Sequence, residues 1–182
     1  MCAAAAKLPT GPVRDLFEGN LAVPEQGPRK LGSNPRPKSI LAMQGDSSRG
    51  EQLFWSQGMN CGKCHRIGER GTAVGPDLST IGKQRSSEEL LESLLWPSRR
   101  IDPKFAAYVL IMVDGRAFAG LLLKRDANAI VLWDNQGKEV KVAAAELQEL
   151  HPSRISLMPD GQLAELTPQE AADLLEYLKT RR

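Results

Sequence analysis

The sequence predicts a mainly α-helical fold interrupted by one small antiparallel β unit, and three observations carry that prediction. Box-spaced polar starts at Ser48–Glu51, Ser86–Glu89 and Thr167–Glu170 each open a segment with apolar residues at helical spacing. From Phe105 to about residue 150 the period becomes strand-like, broken by turn residues. Between the first two helices lies Cys61-Gly62-Lys63-Cys64-His65, a cluster that helices could enclose.

Size and composition bound the reading. The chain has 182 residues, enough for one ordinary domain or a small domain with an elaborate insert. A formal net charge of +2 is too near neutral to argue for nucleic acid. Three cysteines make no disulfide framework, because two stand in the cluster and Cys2 is left over. No stretch approaches the apolar length of a membrane span. Met1 to Lys7 holds four alanines but no charged region followed by a long apolar core, so no signal peptide is read there. The expectation is a fragment, a trimmed chain or a mis-started reading frame.

Taken in order, residues 1–45 carry six of the twelve prolines, and no helical or strand period survives them. They read as a poorly ordered linker or arm, leaving residues 46–182 as the domain and residues 105–150 as a β-rich insertion. The first helix starts with Ser48 and Glu51 as a capping box, continues through Leu53 and Phe54, and is expected to end at Gly58. Ser86–Glu89 opens the next helix, with Leu90, Leu91, Leu94 and Leu95 facing a core and Pro97 stopping it. Four strands follow, at Tyr108–Val113, Ala117–Leu123, Ile130–Trp133 and Lys138–Val142, as a meander or small closed barrel. Ala143 to Leu150 reads as a short helical turn. The last helix has a Thr167–Glu170 box, Pro168 at its first position and Ala171, Leu174, Leu175 and Leu178 on one face.

Two cysteines three positions apart with a histidine beside the second read as an attachment site for c-type haem. Each thiol can add across one porphyrin vinyl group, and the adjacent imidazole is then placed to bind iron. A structural zinc site would need a second pair of ligands, and a redox dithiol would follow a strand in a βαβ pattern. Both remain as alternatives. A metal-bound histidine needs an acceptor for its other ring N–H, and the Pro76 carbonyl is a candidate; a simple Gly75-Pro76 turn is the other reading.

Gly50 and Phe54 on a first helix, then Cys61 to His65, then Gly75-Pro76-Asp77-Leu78, then Met158-Pro159 before a final helix ending Glu176-Tyr177-Leu178, resemble class I cytochrome c. With the strand-rich insert and Ser156-Leu157-Met158-Pro159-Asp160-Gly161, the chain is similar to the planctomycete and verrucomicrobial type of haem-binding cytochrome c domain. The resemblance covers about residues 46–180. It implies a haem-wrapping helical fold with the β unit inserted, thioethers at Cys61 and Cys64, His65 on the iron, a bond from His65 to Pro76, and Met158 as the sixth ligand. It also implies that Gly50 and Phe54 pack on the last helix near Leu174 and Tyr177. The family's domains commonly end large exported proteins, which would make residues 1–45 a tether.

For the sixth position, Met59 lies too close to Cys61, Met112 falls inside a strand, and Met43 lies in the arm. Met158 on its loop is preferred, with His151 the runner-up. The expected function is one-electron transfer by one covalent haem c, without catalysis, between a dehydrogenase donor and a cytochrome or oxidase acceptor. The expected setting is the periplasm or another exported location. Lys63, Arg66, Arg70, Lys83 and Arg85 could form a basic rim. Two rival readings are a peroxidase-like or ligand-binding module with an open distal site, and a zinc-binding interaction module.

Overall fold

A computed structural model describes residues 30–182, which form two hydrophobic cores, one among helices and one within a sheet. Residues 1–29, Cys2 among them, lie outside the described residues. The helices are α1 (Pro37–Leu41), α2 (Ser47–Phe54), α3 (Ile81–Gln84), α4 (Ser87–Leu95) and α5 (Pro168–Lys179).

Helix α1 corrects the expectation of an unstructured arm for residues 30–45. Pro37 sits in the first turn, where a missing N–H leaves no partner wanting. Ile40 is fully buried in the helical core, and the Leu31 N–H donates to the Leu166 carbonyl at 2.8 Å. Prolines hid the period, but one buried isoleucine and its tertiary partners suffice to seat the segment.

At α2 the sequence misplaces the cap. Asp46, not Ser48, is the N-cap, and its carboxylate accepts from the Ser48 and Arg49 N–H groups at 2.9 Å each. A carboxylate there also meets the positive end of the helix dipole. The helix ends at Phe54 with Trp55 as its C-cap, well before Gly58. The boxes at Ser86–Glu89 and Thr167–Glu170 both form, with Pro168 in the first turn of α5.

Helix α5 is the axis of the helical core. A Cβ at Gly50 of α2 would lie 2.0 Å from the Asp173 carbonyl oxygen, so only glycine lets the two backbones approach this closely. Gly45 and Gly82 seat their segments on the same helix, against Ala172 and Lys179. At the α2–α5 crossing the Phe54 and Tyr177 rings lie 5.6 Å apart, as the resemblance implies. Asp173, 1% exposed, ties the crossing together. It accepts from Arg49 Nε at 2.6 Å and Nη2 at 2.9 Å, from the Asp46 N–H at 2.8 Å and from Gln169 at 2.9 Å. The Arg49 bonds hold its carboxyl below the ordinary value, against the opposing effect of burial.

A two-residue hairpin, β1 (Arg66–Ile67) and β2 (Arg70–Gly71), follows the cysteine cluster. The larger sheet holds β3 (Ala107–Met112), β4 (Ala117–Arg125), β5 (Ala129–Trp133), β6 (Glu139–Ala143) and β7 (Leu147–Pro152). Its spatial order is β6-β5-β4-β3-β7, with every neighbouring pair antiparallel. Strand β7 overturns the expected helical turn over 143–150: only Ala144–Glu146 is helical, as one 3₁₀ turn. Its Ala, Glu, Leu and Gln residues favour helix, but ladder bonds to β3 outweigh that local preference. No ladder joins β6 to β7, so the sheet is open rather than a closed barrel.

Leu110, Met112, Ile130, Leu132 and Val142 fill the sheet's own core. The opposite face buries Ala107 and Leu121. Trp133 pairs across from Leu121, and its indole N–H is buried without a hydrogen-bond partner. The Ser153 N–H donates to the Ala107 carbonyl at 2.7 Å, so the chain enters and leaves the sheet at one place.

Candidate functional site

Cys61–Lys63 forms a single 3₁₀ turn, entered through Asn60 in the left-handed region at φ 54°. The Cys61 carbonyl accepts from the Cys64 N–H at 3.2 Å and the His65 N–H at 2.9 Å, so both thiols and the imidazole leave one tight turn. The β1–β2 hairpin folds back over it. The Thr72 N–H donates to the Gly62 carbonyl at 3.2 Å, and the Thr72 hydroxyl donates to the Lys63 carbonyl.

Two glycines make room for His65. Gly71, at φ +90°, passes where any Cβ would lie 2.1 Å from the His65 carbonyl oxygen. A Cβ at Gly75 would lie 3.0 Å from the imidazole Cε1, and its N–H donates to the Cys64 carbonyl at 2.7 Å. The next carbonyl, Pro76, accepts from His65 Nδ1 at 2.8 Å. A carbonyl can only accept, so the ring proton lies on Nδ1 and the Nε2 lone pair is left for a metal. Arg66 and Asp77 hold this corner, paired at 2.6 Å, and the Leu78 N–H donates to the Arg66 carbonyl at 2.9 Å.

Electrostatics suit the same chemistry. Burial pushes the Cys61 thiol up to about 11 and raises that of Cys64, with Lys63 opposing the second shift. Burial thus favours the protonated form of both thiols. Burial lowers His65 from its ordinary value, the Pro76 bond opposing, and a neutral imidazole is the ligating form. Among the described residues no three His, Cys, Asp or Glu side chains gather as a metal site. Two protonated thiols on one turn, beside a glycine-cradled imidazole with one free nitrogen, fit a covalently bound haem.

Cys61, Cys64, His65 and Pro76 thus come together in one corner. Met158 lies on the loop between β7 and α5. It is half-buried against the helical core that also takes Cys61, Ile67 and Leu78. Its N–H donates to Ser156 Oγ at 3.1 Å, and the Ser156 N–H donates to Ser98 Oγ at 3.1 Å, pinning the loop to the segment after α4. His151 lies in β7, exposed, with Nε2 bonded to Glu149 at 2.6 Å. Arg66, Arg70 and Arg85 of the expected basic rim each pair with a carboxylate. Sequence reasoning missed Gly71, Thr72 and Trp55 around the turn. The glycine between the two cysteines was the available signal for Trp55.

Residues 47–133 match the family model for Cytochrome c, a span holding α2, the turn and His65 but ending before Met158. Over 84 residues the chain is 27% identical to a cytochrome c-553-like protein of Synechocystis sp., covering 46% of this chain and 76% of the relative. No helix of the described residues is long and apolar enough to cross a membrane. Both matches liken the chain to class I cytochromes c, and the turn with Cys61, Cys64 and His65 fits one covalently attached haem c with its iron.

Proposed function

We propose that the chain is a monohaem electron carrier in which Cys61 and Cys64 hold the haem by thioethers and His65 and Met158 ligate its iron. The observation that carries this reading is the 2.8 Å bond from His65 Nδ1 to the Pro76 carbonyl, which frees Nε2. The haem supplies a one-electron iron couple when bound. The protein's own residues do the rest. Pro76 fixes the imidazole's rotation and strengthens it as a donor. Leu90, Leu91, Leu94 and Leu95 supply an apolar, water-excluding wall. The Met158 thioether, a soft and weak donor, favours the reduced iron relative to a second histidine.

The physiological reading extends this. The module receives electrons from a fused or partner dehydrogenase, passes them to a cytochrome or oxidase, and works in an exported setting such as the periplasm. The domain takes in α1 as well as residues 46–182, with the β unit up to Pro152 as its insertion, of the planctomycete and verrucomicrobial type. An open-site peroxidase would need a distal acid–base group, and the exposed His151 bonded to Glu149 does not favour it. The test is the oxidised and reduced absorption spectrum of protein matured in a host that attaches c-type haem. Low-spin spectra with a thioether-to-iron band are expected, and in Met158→Ala that band disappears, the potential falls and the iron binds added ligands. Unchanged spectra and potential in that variant remove Met158 from the iron.

A further inference from the structure

Gly62 stands between the two cysteines, yet its backbone does not require glycine, since its φ is not positive. Trp55 requires it. A Cβ at position 62 would lie 2.5 Å from Cζ3 and 2.7 Å from Cε3 of the Trp55 indole, well inside van der Waals contact. The indole is not a loose side chain that could swing aside. Phe54 meets it edge-on, with centroids 4.9 Å apart at 74°. The Arg70 guanidinium lies 4.2 Å from its ring centroid and is itself paired with Glu51 at 3.4 Å. Its Nε1–H donates to the Tyr177 hydroxyl at 3.2 Å, and Tyr177 is 1% exposed on α5. The ring is therefore a fixed spacer between the α2–α5 crossing and the attachment turn.

We infer that Trp55 is a positioning residue for haem attachment: clamped by Arg70 and hydrogen-bonded to Tyr177, its indole sets Gly62 and hence the spacing of the Cys61 and Cys64 thiols. The inference rests on the haem reading above. Each thiol adds across one vinyl double bond, sulfur bonding one carbon and the thiol hydrogen going to the other. Nothing leaves and no electron is exchanged. One such addition tolerates a loose turn. Two additions to one rigid ring need both sulfurs at a set separation, so displacing the turn costs the second thioether first.

The experiment measures, in protein matured with haem, the share of coloured chains carrying both thioethers. The α-band of the reduced pyridine haemochrome reads it, moving to longer wavelength when a vinyl group survives. Trp55→Ala and Gly62→Ala are each expected to lower the ratio of two-thioether to one-thioether chains roughly tenfold, the scale of a methyl group forced into a close-packed site. The double variant is expected to lose no more than Trp55→Ala alone, because without the indole the added methyl has room. Leu132→Ala, in the sheet's separate core, lowers the yield of folded protein but not this ratio. Additive losses in the double variant, or a native ratio in Trp55→Ala, overturn the inference while leaving the haem reading intact. Native protein without covalent haem overturns that reading itself. Should Trp55→Ala not fold, Arg70→Ala at the surface decides: releasing the clamp must partly relieve Gly62→Ala, and no relief overturns the inference.

Discussion

In the helical body, segments far apart in the chain meet almost backbone to backbone; in the sheet, most strands rest on their neighbours in sequence. Gly50 touches the Asp173 carbonyl across the α2–α5 crossing, and Gly82 touches that of Lys179. Between β3 and β6 each strand pairs with the next, and only β7 returns to an earlier one. The sheet keeps its own core of Leu110, Met112, Ile130, Leu132 and Val142, while the turn that carries the chemistry packs through Cys61 against the helical core. The body that holds the cofactor thus has little room for added atoms, and the inserted sheet is stabilised separately.

Substitutions should break that contrast unequally. Gly50→Ala carries the largest expected effect, because its methyl would meet backbone rather than a yielding side chain. A loss of about 3 kcal/mol or more in denaturant unfolding is expected, at the upper end for overpacked sites. Asp173→Asn comes next, at about 2–3 kcal/mol, since hydrogen bonds to a buried charge are lost. That variant also has a pH signature. The folded carboxyl lies below its unfolded value, so its stabilisation is present above about pH 4 and is lost as pH falls through the depressed folded value. Asp173→Asn should flatten the acid limb of the stability profile, and an unchanged limb would remove this carboxylate from acid unfolding. The smallest effect belongs to the sheet. Trp133→Phe deletes an unpartnered buried N–H and should leave stability unchanged or raise it by up to about 1 kcal/mol, with the haem spectrum unaltered.

What the sequence made legible was chemistry carried by neighbours in the chain. The capping boxes at Ser86 and Thr167 close within three residues, and strand alternation from β3 to β6 needs only local periodicity. The corner formed by Cys61, Cys64, His65 and Pro76 is contained within sixteen consecutive positions. What escaped depends on distant partners. Asp46 takes the α2 cap with its backbone N–H tied to Asp173, and β7 extends because β3 offers it a ladder. Ile40 seats α1 on a core assembled from the other end of the chain. Trp55 passes for an ordinary helix-end aromatic until Gly62 is seen beneath it.

The bond from the Ser153 N–H to the Ala107 carbonyl has a consequence for how the chain finds its fold. Without the sheet, bringing the Met158 loop back to the helices would mean closing a disordered loop of dozens of residues. Once the sheet has formed, its two ends lie side by side and that closure shrinks to about a quarter of its length, an entropy difference of about 1 kcal/mol by the logarithmic dependence on loop length. A large insertion thus acts as a short connector, and early pairing of its strands would speed the arrival of the last loop and α5 rather than delay it.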